Sequence, residues 1–117
     1  LEGIARGVDM FDCVMPCRNG RNGMIFTQNG VMNLRNKKWE NDFTELDPCG
    51  TSFVDHHYTR AYVRHLIHAQ EMLGLEILSI HNLAFYLWLV GEARKHILLD
   101  DYAVWKKDML ERVTRRL

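Results

Sequence analysis

Asp12 sits inside an apolar run, Val8–Met15 (VDMFDCVM), and two arginines, Arg18 and Arg21, follow it in Cys17–Arg21 (CRNGR). A carboxylate in such a run costs free energy unless it is paired or put to work. Three uses are open: a nucleophile, a general base, or one half of an ion pair with Arg18. Strand ends in α/β barrels present catalytic groups, which favours the chemical uses. Pro16 stops the run, and a short loop carrying the arginines is expected between Gly20 and Gly23. Forked guanidinium donors and free backbone N–H groups suit phosphates or base edges. A solvated turn has the same composition. A second group, Cys49, Asp55, His56, His57 and His81, has the residue types of metal ligands. It lacks any CxC or CxxC pair, so the spacing of a zinc site is missing. Tyr58, Tyr62 and His65 fall on one helical face, with Glu71 further along. Such a stripe is either core or a subunit interface, where Tyr is enriched.

The elements that must position these residues follow from pattern. Leu1–Gly7 has the look of a helix end closing on Gly7 at its C-terminal cap. Val8–Met15 reads as a strand covered on both faces, as in a parallel sheet. A lone parallel strand needs neighbours that this chain does not contain, and the chain starts without Met. Both points lead to the expectation of a piece of a longer protein. Met24–Phe26 and Val31–Leu34 flank Gln28-Asn29-Gly30, a hairpin signal with Asn29-Gly30 as the turn at positive φ. Arg35–Asp42 is a short strand or an exposed loop. Leu46–His57 is irregular, broken by Pro48 and Gly50, with Asp55 expected to cap the next helix. That helix starts at Tyr58, carries Tyr62, Leu66, Ala69 and Leu73 on one face, and closes at Gly74. A second helix opens at Ser79 or Asn82 and runs to about Leu98. Its LAFYLWLV section predicts cover on both sides. Asp100 and Asp101 cap a third, with Tyr102, Trp105, Met109, Leu110 and Val113 as its apolar stripe and Arg112, Arg115 and Arg116 near its end.

Bulk composition excludes little. The chain has 117 residues, 47% hydrophobic and 26% charged, which suits one globular domain. Fifteen basic and fifteen acidic residues leave no net charge, so nucleic-acid binding would have to use a local patch. Three irregularly spaced cysteines make no disulfide framework, and with no secretory signal the expected compartment is the cytoplasm. The longest apolar run, Leu83–Val90, falls short of the ~20 residues of a membrane span, so no membrane partner is expected.

FDCVMPCRNGRNG at Phe11–Gly23, the hairpin, YTRAYVRHL, EMLGLEILSIHNLAFY and the closing helix together resemble the C-terminal part of bacterial tRNA-guanine transglycosylases. SIHN at Ser79–Asn82 is a second anchor, and the resemblance runs over essentially the whole chain. It implies an α/β fold: the end of a (β/α)8 TIM barrel with an inserted zinc subdomain. Residues 1–23 would be a barrel-helix end, the last strand and the catalytic and anticodon loop. Residues 24–78 would be the hairpin and helix insert, and 79–117 the last barrel helix and a C-terminal helix. Asp12 falls on the family's nucleophile. Val14, Cys17, Arg18, Asn19, Gly20 and Arg21 fall on its anticodon-reading segment, where position 17 is normally Thr. Tyr58, Tyr62, His65 and Glu71 fall on a homodimer interface. The implied reaction exchanges the wobble guanine of GUN-anticodon tRNAs for aspartate, asparagine, histidine and tyrosine with a 7-deazaguanine base. The implied zinc would use three cysteines and a histidine, but those cysteine positions hold Gly50, Ser52 and Asp55. Only His81 remains, with Cys49 one residue off, so the site is expected to be lost; the alternative is a substitute set of Cys49, Asp55, His57 and His81. The competing expectations are a non-catalytic dimerisation or RNA-binding module derived from that enzyme, and a different barrel glycosidase. Alone, 117 residues fall short of the ~250 of a barrel, so this chain is expected to be inactive by itself.

Overall fold

The computed structural model describes all 117 residues. Its elements are α1 Glu2–Ala5, α2 Met15–Arg21, β1 Met24–Thr27, β2 Gly30–Asn33, α3 Phe53–His57, α4 Arg60–His68, α5 Met72–Leu98 and α6 Tyr102–Val113, with a 3-10 turn at Lys37–Trp39. The α5 helix organises the rest. Its 27 residues span ~40 Å at ~1.5 Å each, which sets the 45 Å long axis of the molecule. By length and composition it could cross a membrane. Here it instead buries Gly74, Ile77, Leu78, His81, Asn82, Phe85 and Ala93 against α2, α4 and the hairpin.

The apolar core collects Ile25, Met32 and Leu34 from the hairpin, Leu46, Val54 from α3, Val63, Leu66 and Ile67 from α4, and Ile77 and Leu78 from α5. The hairpin alternates as half-buried strands do, with Ile25 and Thr27 inward on β1 and Gly30 and Met32 inward on β2. The strands pair antiparallel, Met24 with Asn33 through Thr27 with Gly30. The turn therefore centres on Gln28 and Asn29, one residue earlier than expected, and neither has positive φ. Gly30 takes the unusual conformation, at φ +145°, and a Cβ there would lie 2.3 Å from the Arg115 carbonyl oxygen. That approach lets the C-terminus add to the sheet: Val31 N–H donates to Arg115 O at 2.7 Å, and Leu117 N–H donates to Val31 O at 2.9 Å.

Several expectations change. Val8–Val14 forms no strand, and Val8, Met10, Phe11 and Val14 are exposed. No second strand lies beside this segment to complete a parallel ladder, so its backbone has nothing to pair with. The barrel strand that the resemblance implies is therefore not formed in this structure. Helix α5 starts at Met72, not at Ser79, and Gly74 lies inside it. The helix before it ends at His68, where Gln70 takes φ +58° and turns the chain. Asp55 does not cap α4; Thr59 does, accepting from Tyr62 N–H at 3.2 Å. Arg35–Asp42 is a loop around the 3-10 turn. The LAFYLWLV section is covered on one side only, leaving Leu83, Leu87 and Val90 exposed. The third helix appears with its stripe: Met109 is buried, and Tyr102, Trp105, Leu110 and Val113 are half-buried.

Candidate active site

Asp12 lies in the irregular segment just before α2, exposed, and in no hydrogen bond or ion pair. The ion pair with Arg18 is thus absent, and the carboxylate is free to meet a ligand. Phe11 anchors the segment against α1: a Cβ on Gly3 would lie 3.2 Å from its ring. Downstream, Cys17–Arg21 is helix, not loop, because Pro16 at the first turn starts α2 where its missing N–H costs nothing. Arg18 and Arg21 are three residues apart, share one side of α2 and are both exposed. Val14 is exposed, and Cys17 and Asn19 are half-buried. Gly20 does not offer free backbone N–H groups. It is buried, and a Cβ there would come within 3.2 Å of the α5 backbone at Leu78 and Ser79. Gly20 is where α2 lies directly on α5, which fixes the direction in which the arginines project.

Behind this surface two neighbouring α5 residues tie the parts together. Asn82, fully buried, donates from Nδ2 to Pro16 O at 2.9 Å and Met24 O at 3.0 Å, and accepts Phe26 N–H at 3.1 Å. It joins the start of α2 and β1 to α5. His81, also buried, has an acceptor at each ring nitrogen: Asp55 Oδ1 at Nδ1, and Phe26 O at Nε2, 2.8 Å away. The ring therefore donates from both nitrogens, which makes it an imidazolium facing the Asp55 carboxylate. Burial pushes the ring toward neutrality, but the hydrogen bond and charge of Asp55 outweigh it and hold the His81 pKa above the usual histidine value. Together His81 and Asn82 satisfy the open edge of β1. Neither the Asn82 contacts nor the burial of Asp47 was foreseen. For Asn82 the only signal in the sequence is the pair of polar residues His81 and Asn82 inside an apolar helix, and for Asp47, in a loop, there is none.

Of the metal-type residues, Asp55 and His81 come together. Cys49 is exposed and lines, with Asp47 and Gly50, the small cavity that Asp55 and His81 also border. His56 turns outward to Glu45 Oε2 at 2.9 Å, and His57 packs edge-on to Tyr58. Asp47 accepts the Cys49 N–H at 3.1 Å; its burial raises its pKa above the usual carboxylate value. On the α4 side, Tyr58 stacks on Tyr62 with ring centroids 5.9 Å apart. Tyr62, His65 and Glu71 are exposed, while Tyr58 is half-buried against the core.

Comparison with known proteins adds a second line. A family model described as Queuine tRNA-ribosyltransferase matches residues 1–115. Curated proteins named queuine tRNA-ribosyltransferase match nearly the whole chain. One from Lactococcus lactis subsp. cremoris is 47% identical over 112 residues, covering 96% of this chain and 29% of the relative. One from Aquifex aeolicus is 43% identical over 117 residues, covering 100% of this chain and 31% of the relative. One from Clostridium acetobutylicum is 45% identical over 111 residues, covering 95% and 30%. The chain thus spans less than a third of the length of these curated relatives.

Proposed function

Because the chain belongs to the queuine tRNA-ribosyltransferase family, we propose that it supplies the nucleophile and part of the RNA contacts of a tRNA-guanine transglycosylase. The observation that carries the reading is the family match over residues 1–115, which includes Asp12 and both arginines. The position of Asp12 supports it: an unpaired carboxylate on an exposed segment, beside a helix that displays Arg18 and Arg21.

In this reading the tRNA backbone and anticodon bases lie along the outer face of α2 and its N-cap, where Val14, Cys17, Arg18, Asn19 and Arg21 contact the bases flanking the wobble position. Gly20 seats the helix on α5 instead of touching RNA. Guanidinium forks suit that task. One Asp12 oxygen attacks the anomeric carbon of the wobble ribose. The bond from that carbon to guanine breaks, guanine leaves with the electron pair and takes up a proton, and a ribosyl ester of Asp12 remains. A 7-deazaguanine base then attacks the same carbon, loses a proton, and expels the carboxylate. Two inversions give net retention, as in retaining glycosidases. The substrates are tRNAs with GUN anticodons, the working unit is a homodimer built on Tyr58, Tyr62, His65 and Glu71, and the compartment is the cytoplasm. The barrel that would complete the site lies outside these residues, so the 117-residue chain alone is inactive.

Exchange of labelled guanine into tRNA tests the reading. The full-length protein should label a tRNA with a GUN anticodon, and should not label the same tRNA after its wobble guanine is changed. Asp12→Asn should reduce exchange to background with unchanged stability. Full exchange by that variant would refute the assigned nucleophile. A second reading, a non-catalytic RNA-binding or dimerisation module, draws on the absence of a barrel strand at residues 8–14, where the only sheet is the two-stranded hairpin. It predicts tRNA binding or dimer formation without exchange. For the dimer, Tyr62→Ala should shift sedimentation toward monomer, and an unshifted boundary would rule out this surface.

A further inference from the structure

The family resemblance implies a zinc ion held by cysteines at positions 50, 52 and 55 together with His81, and the side chains present do not fit one. Position 50 is Gly, and the space its Cβ would need is taken by Asp55, whose Oδ2 would lie 2.1 Å away. Ser52 is engaged as the cap of α3: its Oγ accepts Val54 N–H at 3.4 Å, while Asp55 Oδ2 accepts Ser52 N–H at 2.9 Å. Both nitrogens of His81 are occupied by Asp55 and by Phe26 O, leaving no lone pair for a metal. No three His, Cys, Asp or Glu side chains are arranged to hold a metal ion. The cavity beside the pair is about 10 Å³, at the lower limit for a single water. A tetrahedral zinc site needs four donors, thiolate or imidazole in most structural cases.

We propose that a bridge of Asp55, His81 and the Phe26 carbonyl replaces the metal as the cross-link of this subdomain, with Gly50 and Asp55 as a matched pair. The bridge joins the same kinds of parts that a structural metal would. Asp55 holds the α3 turn through the Ser52 N–H, His81 belongs to α5, and Phe26 lies on β1. The side chain missing at position 50 makes the room that the Asp55 carboxylate fills. Buried and charge-assisted hydrogen bonds are among the stronger ones, and breaking one partner of a buried pair leaves the other uncompensated. The cross-link is therefore built into the chain and forms without a loaded ion.

The test uses the full-length protein and needs no catalytic activity, so it stands apart from the transglycosylase reading. Protein grown with added zinc and then dialysed should carry far less than one zinc per chain. Its thermal midpoint should not move with EDTA or with added zinc chloride. Asp55→Asn should lower the midpoint by several degrees without changing metal content. If that variant does not fold, Gly50→Ala serves instead. It should be destabilised in the parent, and markedly less so in an Asp55→Ala background, because the colliding carboxylate is then gone. One zinc per chain that survives dialysis and whose removal lowers the midpoint would overturn the proposal. So would a saturable rise with added zinc, an Asp55→Asn protein as stable as the parent, or strictly additive effects of the Gly50 and Asp55 substitutions.

Discussion

Asn82 commits its whole side-chain amide to three backbone groups on two other elements. Asn82→Ala leaves one N–H and two carbonyl groups without their partner in a buried place, so the expected cost is about 3 kcal/mol in urea unfolding. Asp42 gives a pH-dependent case. Burial disfavours its ionised form, but hydrogen bonds from Thr44 and the Arg60 guanidinium outweigh this and set its pKa below 3.8. A carboxyl whose folded value is depressed contributes stability above its unfolded value and loses it as pH falls through the folded one. The gap in stability between parent and Asp42→Asn should therefore be constant near neutrality, at about 1 kcal/mol. It should close as the pH drops below about 4, the usual carboxylate range. At this scale the sequence was partly legible. Asp12 stands out as a carboxylate in an apolar run, and His81 as a residue of metal-ligand type. What each one touches depends on chain segments far apart in sequence. His81 therefore read as a leftover metal ligand, when its partners are Asp55 and a strand carbonyl.

Helix α5 is the element on which the others depend, and half of its role was hidden from periodicity. The hairpin was readable because Gly30 and the alternation of Ile25, Thr27 and Met32 carry local signals. The helix α6 stripe was readable for the same reason. The start of α5 was not, because Gly74 looks like a helix end in sequence and is a buried packing site against Leu66 in space. Val8–Met15 has the composition of a strand and forms none, because strand pairing is non-local: β-prone residues cannot make a ladder without a partner. Contact between α2 and α5 is also invisible in sequence, since Gly20 reads as a loop residue. Its closeness to the α5 backbone gives a direct test. Gly20→Val should force α2 off α5 and cost about 2 kcal/mol, as overpacked core substitutions do. Hydrogen exchange should speed up in α2 and at Met24 and Phe26, whose strand the same α5 segment holds, while α6 keeps its protection.

Across the whole molecule, apolar surface is distributed unevenly. Leu83, Leu87 and Val90 on α5 are exposed, as are Met10, Phe11 and Val14 on the segment that carries Asp12. Large exposed apolar patches mark surfaces that are covered in the working protein, and the curated relatives are more than three times as long as this chain. The 117-residue chain produced alone should thus bind a hydrophobic dye and self-associate, and Leu87→Lys with Val90→Lys should reduce both. A dye-silent monomer would mean that this face is stable in water as it stands. The proposed chemistry and the fold rest on different parts of the chain. The hairpin, the buried bridge and α5 form the support, and the carboxylate proposed as the nucleophile is carried on the irregular segment before α2. In the proposed reaction this carboxylate becomes covalently joined to RNA. The most direct measurement is to quench the full-length protein during guanine exchange with a GUN-anticodon tRNA, digest protein and RNA, and locate the adduct by mass spectrometry. The account predicts a ribosyl ester on Asp12, absent from Asp12→Asn. An adduct on any other residue, or efficient exchange with no adduct at Asp12 under conditions that trap the ester, would contradict it.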